Sequence, residues 1–342
     1  MKKCDQERRL YFQRIAANRA KRKPRKTVKK KVAQREKATF DDVISAPNIF
    51  TLDDKAERKT FLSFIDKLDR LRSLQNQRAL IDFTKTERMI SGGTLLFKAH
   101  LYRLVHQYEI KIKIQRSRSN KINQVLQQIG VFELLGQKSD LRIRHPDVVN
   151  WRHAQGAGAI GQKTDGILEP FDGAISKTLQ KGLYLGLTEA MTNTRQHAYP
   201  DFAQTDNFTK TKNVKTEWWM FSEDKDGRVY VVFCDLGIGI PKSLPNKQPN
   251  LWQRISERFG ANPKDSQVIF EAISHRTSRT GDEYRGKGLN QLTKILSETT
   301  GGDLRLYSNH GCYTLRDGEY YLQDYKDTIK GTLICWSLPI KE

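Results

Sequence analysis

One stretch of the sequence, Leu185–Tyr199, constrains what this chain can fold into more than any other. Glu189, Asn193 and His197 recur at intervals of four residues, so a helix would place all three on one face. Apolar residues precede them at the same interval: Ile175, Leu179, Leu183 and Leu187. This pattern predicts a long, half-buried helix. A carboxylate one turn before a carboxamide suits metal–nucleotide chemistry, because Glu can orient or deprotonate a nucleophile and the Asn oxygen can bind Mg²⁺.

A polar stripe of this kind is also typical of a solvated helix face, so its interpretation depends on two later stretches. The first is Val229–Pro241. Its apolar first part is predicted to be a buried strand that ends in Asp235, and Gly237 and Gly239 follow the strand. Such a strand would place the Asp235 carboxylate on the floor of a pocket, where it can accept a hydrogen bond from an exocyclic amine. The glycines let the backbone pass close to a flat ring.

The second stretch is a glycine-rich turn, Arg285–Leu289, which precedes a predicted helix. A helix start presents backbone N–H groups to phosphates, and Arg285 and Lys287 add positive charge. A Walker motif is absent from the sequence, and Gly237-Ile238-Gly239 lacks the Rossmann spacing. The two best-known phosphate-binding loops therefore do not account for these stretches.

The blocks, in this order, resemble the GHKL ATPase superfamily, the Bergerat fold shared by sensor histidine kinases, DNA gyrase and mismatch-repair ATPases. Glu189–Asn193 resembles its N box, Asp235–Gly239 its G1 box and Gly286–Leu289 its G2 box, while Gly331-Thr332 resembles its terminal threonine position. The first of these is most similar to the anti-sigma-factor serine kinases. The resemblance covers about residues 172–340. It implies a two-layer α/β sandwich whose mixed sheet is covered by helices on one face.

The resemblance also implies a role for each matching residue. Glu189 would be the catalytic general base, Asn193 the Mg²⁺ ligand and Asp235 the adenine contact. The remaining nucleotide contacts would be Gly237, Gly239, Arg285, Gly286, Lys287, Gly288, Leu289 and Thr332. The implied cofactors are ATP and Mg²⁺, and the implied activity is that of an ATPase or a protein serine/threonine kinase. Residues 242–284 would form the ATP lid, with Arg276 and Arg279 as candidate phosphate contacts, whereas His197 is expected to pack or cap.

The basic charge of the chain is concentrated at its start. Residues 1–37 carry 16 Lys or Arg and 3 acidic residues, which accounts for +13 of the net charge of +21. This composition predicts a basic, disordered or conditionally helical arm over residues 1–38. Nucleic acid is one candidate partner of residues 1–37, through phosphate contacts. A solubilising tail, or one that docks on an acidic protein, is the alternative, because no base-reading motif accompanies the arm.

The sequence also indicates a cellular location. It has no run of eighteen apolar residues, so we expect no membrane association through a spanning helix. The charged N-terminus has no apolar segment after it and does not resemble a secretory signal. The four cysteines, Cys4, Cys234, Cys312 and Cys335, have no CxxC spacing, which argues against a disulfide framework or a metal site. These features favour a cytoplasmic protein.

Between residues 39 and 136, strand-like and helix-like stretches alternate. Strands are predicted at Asn48–Leu52, Ala79–Phe83 and Glu109–Ile114, and helices at Ala56–Leu71, Gly93–Val105 and Lys121–Leu135. This alternation with short connections predicts a small α/β domain with a mainly parallel sheet.

Part of that domain resembles the phosphorylatable loop of STAS domains, the anti-sigma-antagonist fold. Asp82 matches the strand-end position of the loop, Ser91 its first hydroxyl and Gly93 its glycine, whereas Ile90 and Gly92 depart from the usual Asp and second hydroxyl. The resemblance makes Ser91 a candidate phosphoacceptor. The alternative is that Ser91 simply caps a helix starting at Gly92.

The rest of the chain is predicted to comprise a linker over residues 137–171 and the ATP-binding domain over residues 172–342. Asp317-Gly318 predicts a type I′ turn within a hairpin, Cys312–Tyr325. The leading hypothesis is an ATP-binding regulatory protein in which a STAS-like module is fused to a kinase-like domain that controls a protein partner. The alternatives are a non-catalytic, ATP-gated interaction switch and a nucleic-acid-associated ATPase, for example in phage defence. Formation of a homodimer stays open.

Overall fold

A computed structural model describes residues 42–73, 78–157, 168–199, 217–274 and 288–340. Over these ranges the chain is an α/β protein with three β-sheets. The predicted basic arm lies outside the described residues, as do Arg285, Gly286 and Lys287 of the predicted phosphate turn.

The described elements are numbered along the chain. The strands are β1 Asp42–Ser45, β2 Ile49–Phe50, β3 Arg78–Asp82, β4 Arg88–Met89, β5 Lys111–Gln115, β6 Arg152–Ala157, β7 Glu217–Lys225, β8 Arg228–Asp235, β9 Asp303–Ser308, β10 Gly311–Arg316, β11 Glu319–Asp324 and β12 Thr332–Pro339. The helices are α1 Lys55–Arg70, α2 Ser91–His106, α3 Asn120–Gln128, α4 Val131–Leu134, α5 Pro146–Val149, α6 Lys177–Asn193, α7 Ile240–Lys247, α8 Pro249–Phe259, α9 Asp265–Ser274 and α10 Gly288–Ser297.

The N-terminal part, β1 to α4, forms the small α/β module that the sequence predicts. Its strands β1, β3 and β5 make a parallel three-stranded sheet. Helix α1 begins where the Asp54 carboxylate accepts from the backbone N–H groups of Ala56 and Glu57, both at 2.9 Å, as a helix-capping residue does. The single helix predicted for Lys121–Leu135 is wrong in one respect. Gly130 adopts a φ of +72° and divides it into α3 and α4.

The C-terminal part is built on a seven-stranded sheet in the order β11-β10-β9-β12-β8-β7-β6. Every described pairing in it is antiparallel, so the mixed sheet expected from the resemblance is not what these strands form. Strand β6 comes from the segment predicted to be a linker, and it pairs with β7. The predicted hairpin is confirmed as β10–β11, and its turn residues Asp317 and Gly318 have φ values of 51° and 78°, as a type I′ turn requires.

Both faces of the large sheet are covered, because successive side chains of a strand point to opposite faces. On one face, Val231 and Phe233 of β8 share a hydrophobic core with α6 and α10. On the other face, Val232 and Cys234 share a core with the N-terminal module, including Leu95 of α2. The expectation of helices on one face only is therefore corrected: the N-terminal module forms the second covering layer.

Polar contacts reinforce this second layer. Asp53, two residues before α1, forms an ion pair with Arg305 and accepts from the Tyr307 hydroxyl at 2.9 Å. Asp69, near the end of α1, forms an ion pair with Lys330 and lies 2.9 Å from His100 Nδ1. No helix within the described ranges has the length and apolar character needed to cross a membrane.

Candidate functional site

Helix α6 carries the predicted N box, and two of its glycines pack against side chains of α10. Ser176 caps its start by accepting from the Leu179 N–H at 3.2 Å. A Cβ placed on Gly186 would lie 2.8 Å from Leu292 Cδ2, and one on Gly182 would lie 2.8 Å from Ile295 Cδ1. A Cβ at either position would therefore force the end of an α10 side chain to shift. The close packing brings the carboxylate at the end of α6 to the first turn of α10.

That carboxylate belongs to Glu189, and it contacts backbone of the predicted phosphate turn. Glu189 Oε2 accepts from the Leu289 N–H at 2.6 Å, and the Gly288 N–H and the Asn193 side chain also donate to the carboxylate. Gly288 permits the contact, since a Cβ there would lie 2.4 Å from the Leu185 carbonyl oxygen. Burial raises the pKa of Glu189, although the three hydrogen bonds oppose the shift. Glu189 therefore caps α10 from the position of the predicted base.

The second predicted residue, Asp235, is a buried carboxylate at the end of β8. Its Oδ1 accepts from the Gly237 N–H at 2.9 Å, and Thr332 donates to it through both its N–H and its hydroxyl. Burial raises the pKa of Asp235 to about 6, against the effect of these hydrogen bonds and of nearby Lys247. Gly331 has a φ of +77°, and a Cβ on it would lie 2.0 Å from the Asp235 carbonyl oxygen. The predicted adenine residues Asp235 and Thr332 thus lie together.

The glycine-rich loop after Asp235 packs against the end of the N-box helix. There the chain makes a π-helical turn, Thr194–Ala198, whose Ala198 carbonyl accepts from the Ile238 N–H at 2.8 Å. A Cβ on Gly237 would lie 2.3 Å from this carbonyl oxygen, and Gly239 has a φ of +83°. The loop and the helix end therefore form one unit.

Other residues that hold this loop were missed at the sequence level. Ser308 Oγ accepts from the Ile240 N–H at 2.9 Å, and Asn309 Nδ2 donates to the Ile238 carbonyl at 3.0 Å. The Tyr199 hydroxyl accepts from the Leu236 N–H at 3.0 Å. The residues after Ser308, Asn309-His310-Gly311, have the composition of a turn. That signal could have located a turn, but not its contact with a loop about seventy residues earlier in the chain.

The described part of the predicted lid, residues 242–274, is helical. Helices α7, α8 and α9 pack around a small apolar cluster of Leu244, Leu251, Ile255 and Val268. Lys247, at the end of α7, lies near Asp235; burial lowers the pKa of this lysine to about 8, against the effect of the carboxylate. Arg276 and Arg279 lie outside the described residues.

Ser91 lies away from these groups. It begins α2, on the sheet face covered by the N-terminal module, whereas Glu189 is on α6 and faces the opposite side. The seven-stranded sheet separates the two residues. The N-cap of α2 is Ile90, with no side-chain capping bond, so the expectation that Ser91 caps a helix starting at Gly92 is wrong.

Asp235 and Asn193 carry the kinds of acceptor that the expected ATP and Mg²⁺ would need. A carboxylate offers about four acceptor positions, and Gly237 and Thr332 supply three donors to Asp235, which leaves one for an exocyclic amine. Asn193 is exposed and donates to Glu189, so its amide oxygen can face a cation. The described ranges contain no group of three or more His, Cys, Asp or Glu that could hold a metal ion. A Mg²⁺ ion held by one protein oxygen, phosphates and water needs no such group.

The chain was compared with protein-family models and with curated protein sequences, and neither comparison found a match.

Proposed function

We propose that this chain is an ATP-binding regulatory protein of the GHKL type, with Mg²⁺-dependent phosphoryl-transfer activity toward water or toward a hydroxyl of a separate protein. One observation carries the proposal: the segments that resemble the GHKL boxes contact one another although they are far apart in the sequence. Glu189 contacts Leu289, Asp235 contacts Thr332, and the glycine-rich loop contacts Ala198.

Each of these residues has a role that its surroundings support. The Asp235 carboxylate, with one acceptor position left, would bind the exocyclic amine of adenine. The N–H groups of Gly288 and Leu289 at the start of α10 are suited to an anionic group, and Glu189 supplies that anion in this state. When a phosphate takes these donors, the Glu189 carboxylate is released. Its raised pKa then suits it to accept a proton from the attacking water or hydroxyl.

Asn193 would provide an oxygen ligand to Mg²⁺, which would neutralise phosphate charge during transfer. Arg285 and Lys287 of the adjoining turn stay sequence-based candidates for phosphate contacts.

The position of Ser91 restricts which groups could accept the phosphoryl group. A phosphoryl group bound beside Glu189 is separated from Ser91 of the same chain by the large sheet. Transfer to Ser91 of the same chain, the phosphoacceptor that the STAS resemblance suggested, is therefore disfavoured. We infer that the acceptor is water or a hydroxyl of another molecule, including a second copy of this chain.

A non-catalytic, ATP-gated switch is a second candidate, and the hydrogen bond between Glu189 and the Leu289 N–H favours it. Since the carboxylate is already tied to α10, nucleotide binding would have to rearrange this contact. The sheet that carries Asp235 and Thr332 shares a core with the N-terminal module, so a change at the site could reach a partner surface there. The nucleic-acid hypothesis concerns residues 1–37 and stays a sequence-based prediction.

Titration calorimetry with ATP, with and without Mg²⁺, tests the proposal. The wild-type chain should bind one ATP, and Asp235→Asn should weaken binding at least tenfold, or about 1.4 kcal/mol. Asp224→Asn is the matched control, because Asp224 is exposed on β7. Absence of ATP binding by the wild type would overturn the proposed function. Equal affinities in wild type and Asp235→Asn would overturn the assignment of the adenine contact.

A second assay separates the two candidates. Incubation with γ-labelled ATP should release free phosphate or label an added protein if the chain is catalytic. ATP binding with neither product, across a range of Mg²⁺ concentrations, would support the non-catalytic switch.

A further inference from the structure

A cavity of about 280 Å³ lies on the opposite face of the large sheet from Glu189 and Asp235, where the N-terminal module meets the sheet. The module contributes the loop before α1 and the first turn of α2, and the sheet contributes polar side chains of its four central strands. Its charged lining residues are Asp53, Arg228, Asp303, Arg305 and Arg316, and the hydroxyls that line it include those of Ser91 and Tyr230.

The balance of charge in this cavity favours an anionic ligand. Arg228 is paired with Asp303 at 3.2 Å, and Arg305 is paired with Asp53. Arg316 is exposed, and it has no ion pair with any residue that the structure describes. Within the cavity lining, two aspartates therefore face three arginines, so one guanidinium has no lining carboxylate of its own. A guanidinium offers a planar fork of donors that matches the oxygens of a phosphoryl group.

The arginines lie close together because of the strand register. Thr314 of β10 is directly opposite Arg305 of β9, and Arg316 follows two residues later on the same face of the strand. A second cavity, of about 340 Å³, adjoins the first and shares Asp53, Arg305 and Arg316 with it. The combined space is in the range that small-molecule sites occupy.

The opposite wall is the first turn of α2. Its N-cap, Ile90, has no side chain that can accept a hydrogen bond, so no capping side chain competes with a ligand for the backbone donors of this turn. This turn lies against β12, since a Cβ on Gly92 would be 3.4 Å from Cys335 Sγ. Tyr230 and Leu333 add ring and apolar surface for the carbon part of a ligand.

We propose that this cavity binds a small phosphorylated metabolite, whose phosphoryl oxygens accept from Arg316 and from the first turn of α2. The site is separate from the proposed ATP site, because the seven-stranded sheet lies between them. A ligand here would contact both the N-terminal module and the sheet. Its binding would therefore stabilise the packing of the module on the sheet.

The test uses the full chain with inorganic phosphate and ribose 5-phosphate as probes, and with succinate as a dianion that lacks a phosphoryl group. Binding is measured by titration calorimetry and by the shift in the thermal unfolding midpoint. Arg316→Ala should weaken binding of both phosphate probes at least tenfold. Arg254→Ala is the charge-matched control, because Arg254 is exposed on α8, away from the cavity.

Ser91→Asp separates loss of binding from loss of folding. A carboxylate at the first position of α2 complements the helix dipole, so the variant should unfold no earlier than the wild type. The same carboxylate would repel a phosphoryl group, so probe binding should be lost.

Three results would overturn the proposal. The first is the absence of binding of either phosphate probe by the wild-type chain. The second is phosphate binding that Arg316→Ala and Ser91→Asp leave unchanged, because the ligand would then sit elsewhere. The third is binding of succinate without binding of phosphate, which would show that the site does not select phosphoryl groups.

Discussion

Replacing Glu189 separates the structural role of its carboxylate from its proposed chemical role. Glu189→Ala removes the acceptor of the Gly288 and Leu289 N–H groups at the start of α10. A hydrogen bond to a charged group contributes about 1.5–3 kcal/mol. Because the site is half-buried, water replaces part of the loss. We therefore expect Glu189→Ala to lower the free energy of unfolding by about 2–3 kcal/mol.

Glu189→Gln should behave differently, because it keeps a side-chain oxygen of the same reach. We expect it to lower the free energy of unfolding by less than about 1 kcal/mol. Burial raises the pKa of Glu189 in the folded state, so the folded state binds this proton more tightly than the unfolded state does. The contribution of Glu189 to stability is thus largest at low pH and falls as pH rises above the usual glutamate pKa, about 4. Glu189→Gln removes this fall.

The assay is urea unfolding at pH 4 to 7, combined with phosphate release from ATP by the same preparations. Both variants should lose at least about 100-fold in turnover if Glu189 acts as the base. Glu298→Gln is the control, since Glu298 is exposed near the end of the α10 region and should have little effect. A wild-type rate in Glu189→Gln would refute the assignment of the base. A stability loss below about 0.5 kcal/mol in Glu189→Ala would refute the capping contact.

Three further perturbations test other parts of the molecule. Adenosine binding, followed by calorimetry, should strengthen as pH rises through about 6, because burial raises the pKa of Asp235 to about 6 and the ionised carboxylate is a stronger acceptor for the amine than the protonated acid. A pH dependence that persists in Asp235→Asn would contradict this. Gly331→Ala should lower the free energy of unfolding by about 3 kcal/mol or more. The residue has a φ of +77°, and the added Cβ would lie 2.0 Å from the Asp235 carbonyl oxygen. Gly227→Ala, with a φ of +71° and open space, should lower it by only about 1 kcal/mol, and equal losses would refute the steric argument. Lys98→Met should stabilise the chain at pH 7 by about 1–4 kcal/mol, since burial lowers the pKa of Lys98 to about 7. The free energy of unfolding of the wild type should also rise from pH 7 toward 10, because the unfolded state holds this proton more tightly than the folded state. Urea unfolding of Lys98→Met should show no such rise.

Features determined by nearby residues could be predicted from the sequence. The α6 helix follows from apolar residues at helical spacing, and its buried face includes Leu179, Leu183 and Leu187 as expected. The β10–β11 turn is predicted by Asp317-Gly318, because both residues tolerate the positive φ values that the turn needs. In both cases the determining interactions lie within a few residues.

Features determined by distant pairing could not be predicted in this way. Strand β6 has no apolar alternation, and its side chains are half-buried or exposed. It is a strand because β7 pairs with it. The apolar run of β8 is typical of a strand covered on both faces, but nothing local shows that α2 supplies the second cover.

The residues of the candidate site also fall into those that the sequence could predict and those that depend on distant contacts. The sequence supplied Glu189, Asp235 and Thr332, because each belongs to a motif with its own spacing. It did not supply Ser308 or Asn309, whose roles arise only when the β9–β10 turn meets the glycine-rich loop. The sequence also left Ser91 as a candidate phosphoacceptor. Sequence order does not reveal which face of a sheet a helix covers, so it could not show that the sheet separates Ser91 from Glu189.

Hydrogen–deuterium exchange of the full chain, with and without Mg²⁺-ATP, is the measurement that tests the proposed nucleotide site most directly. We expect ATP to slow exchange in three stretches: Leu185–Tyr199, the loop after Asp235, and the first turn of α10. The amides of β3 and β5 in the N-terminal module should be unaffected. Absence of protection in these stretches at saturating ATP, or protection confined to the first turn of α2, would contradict the account.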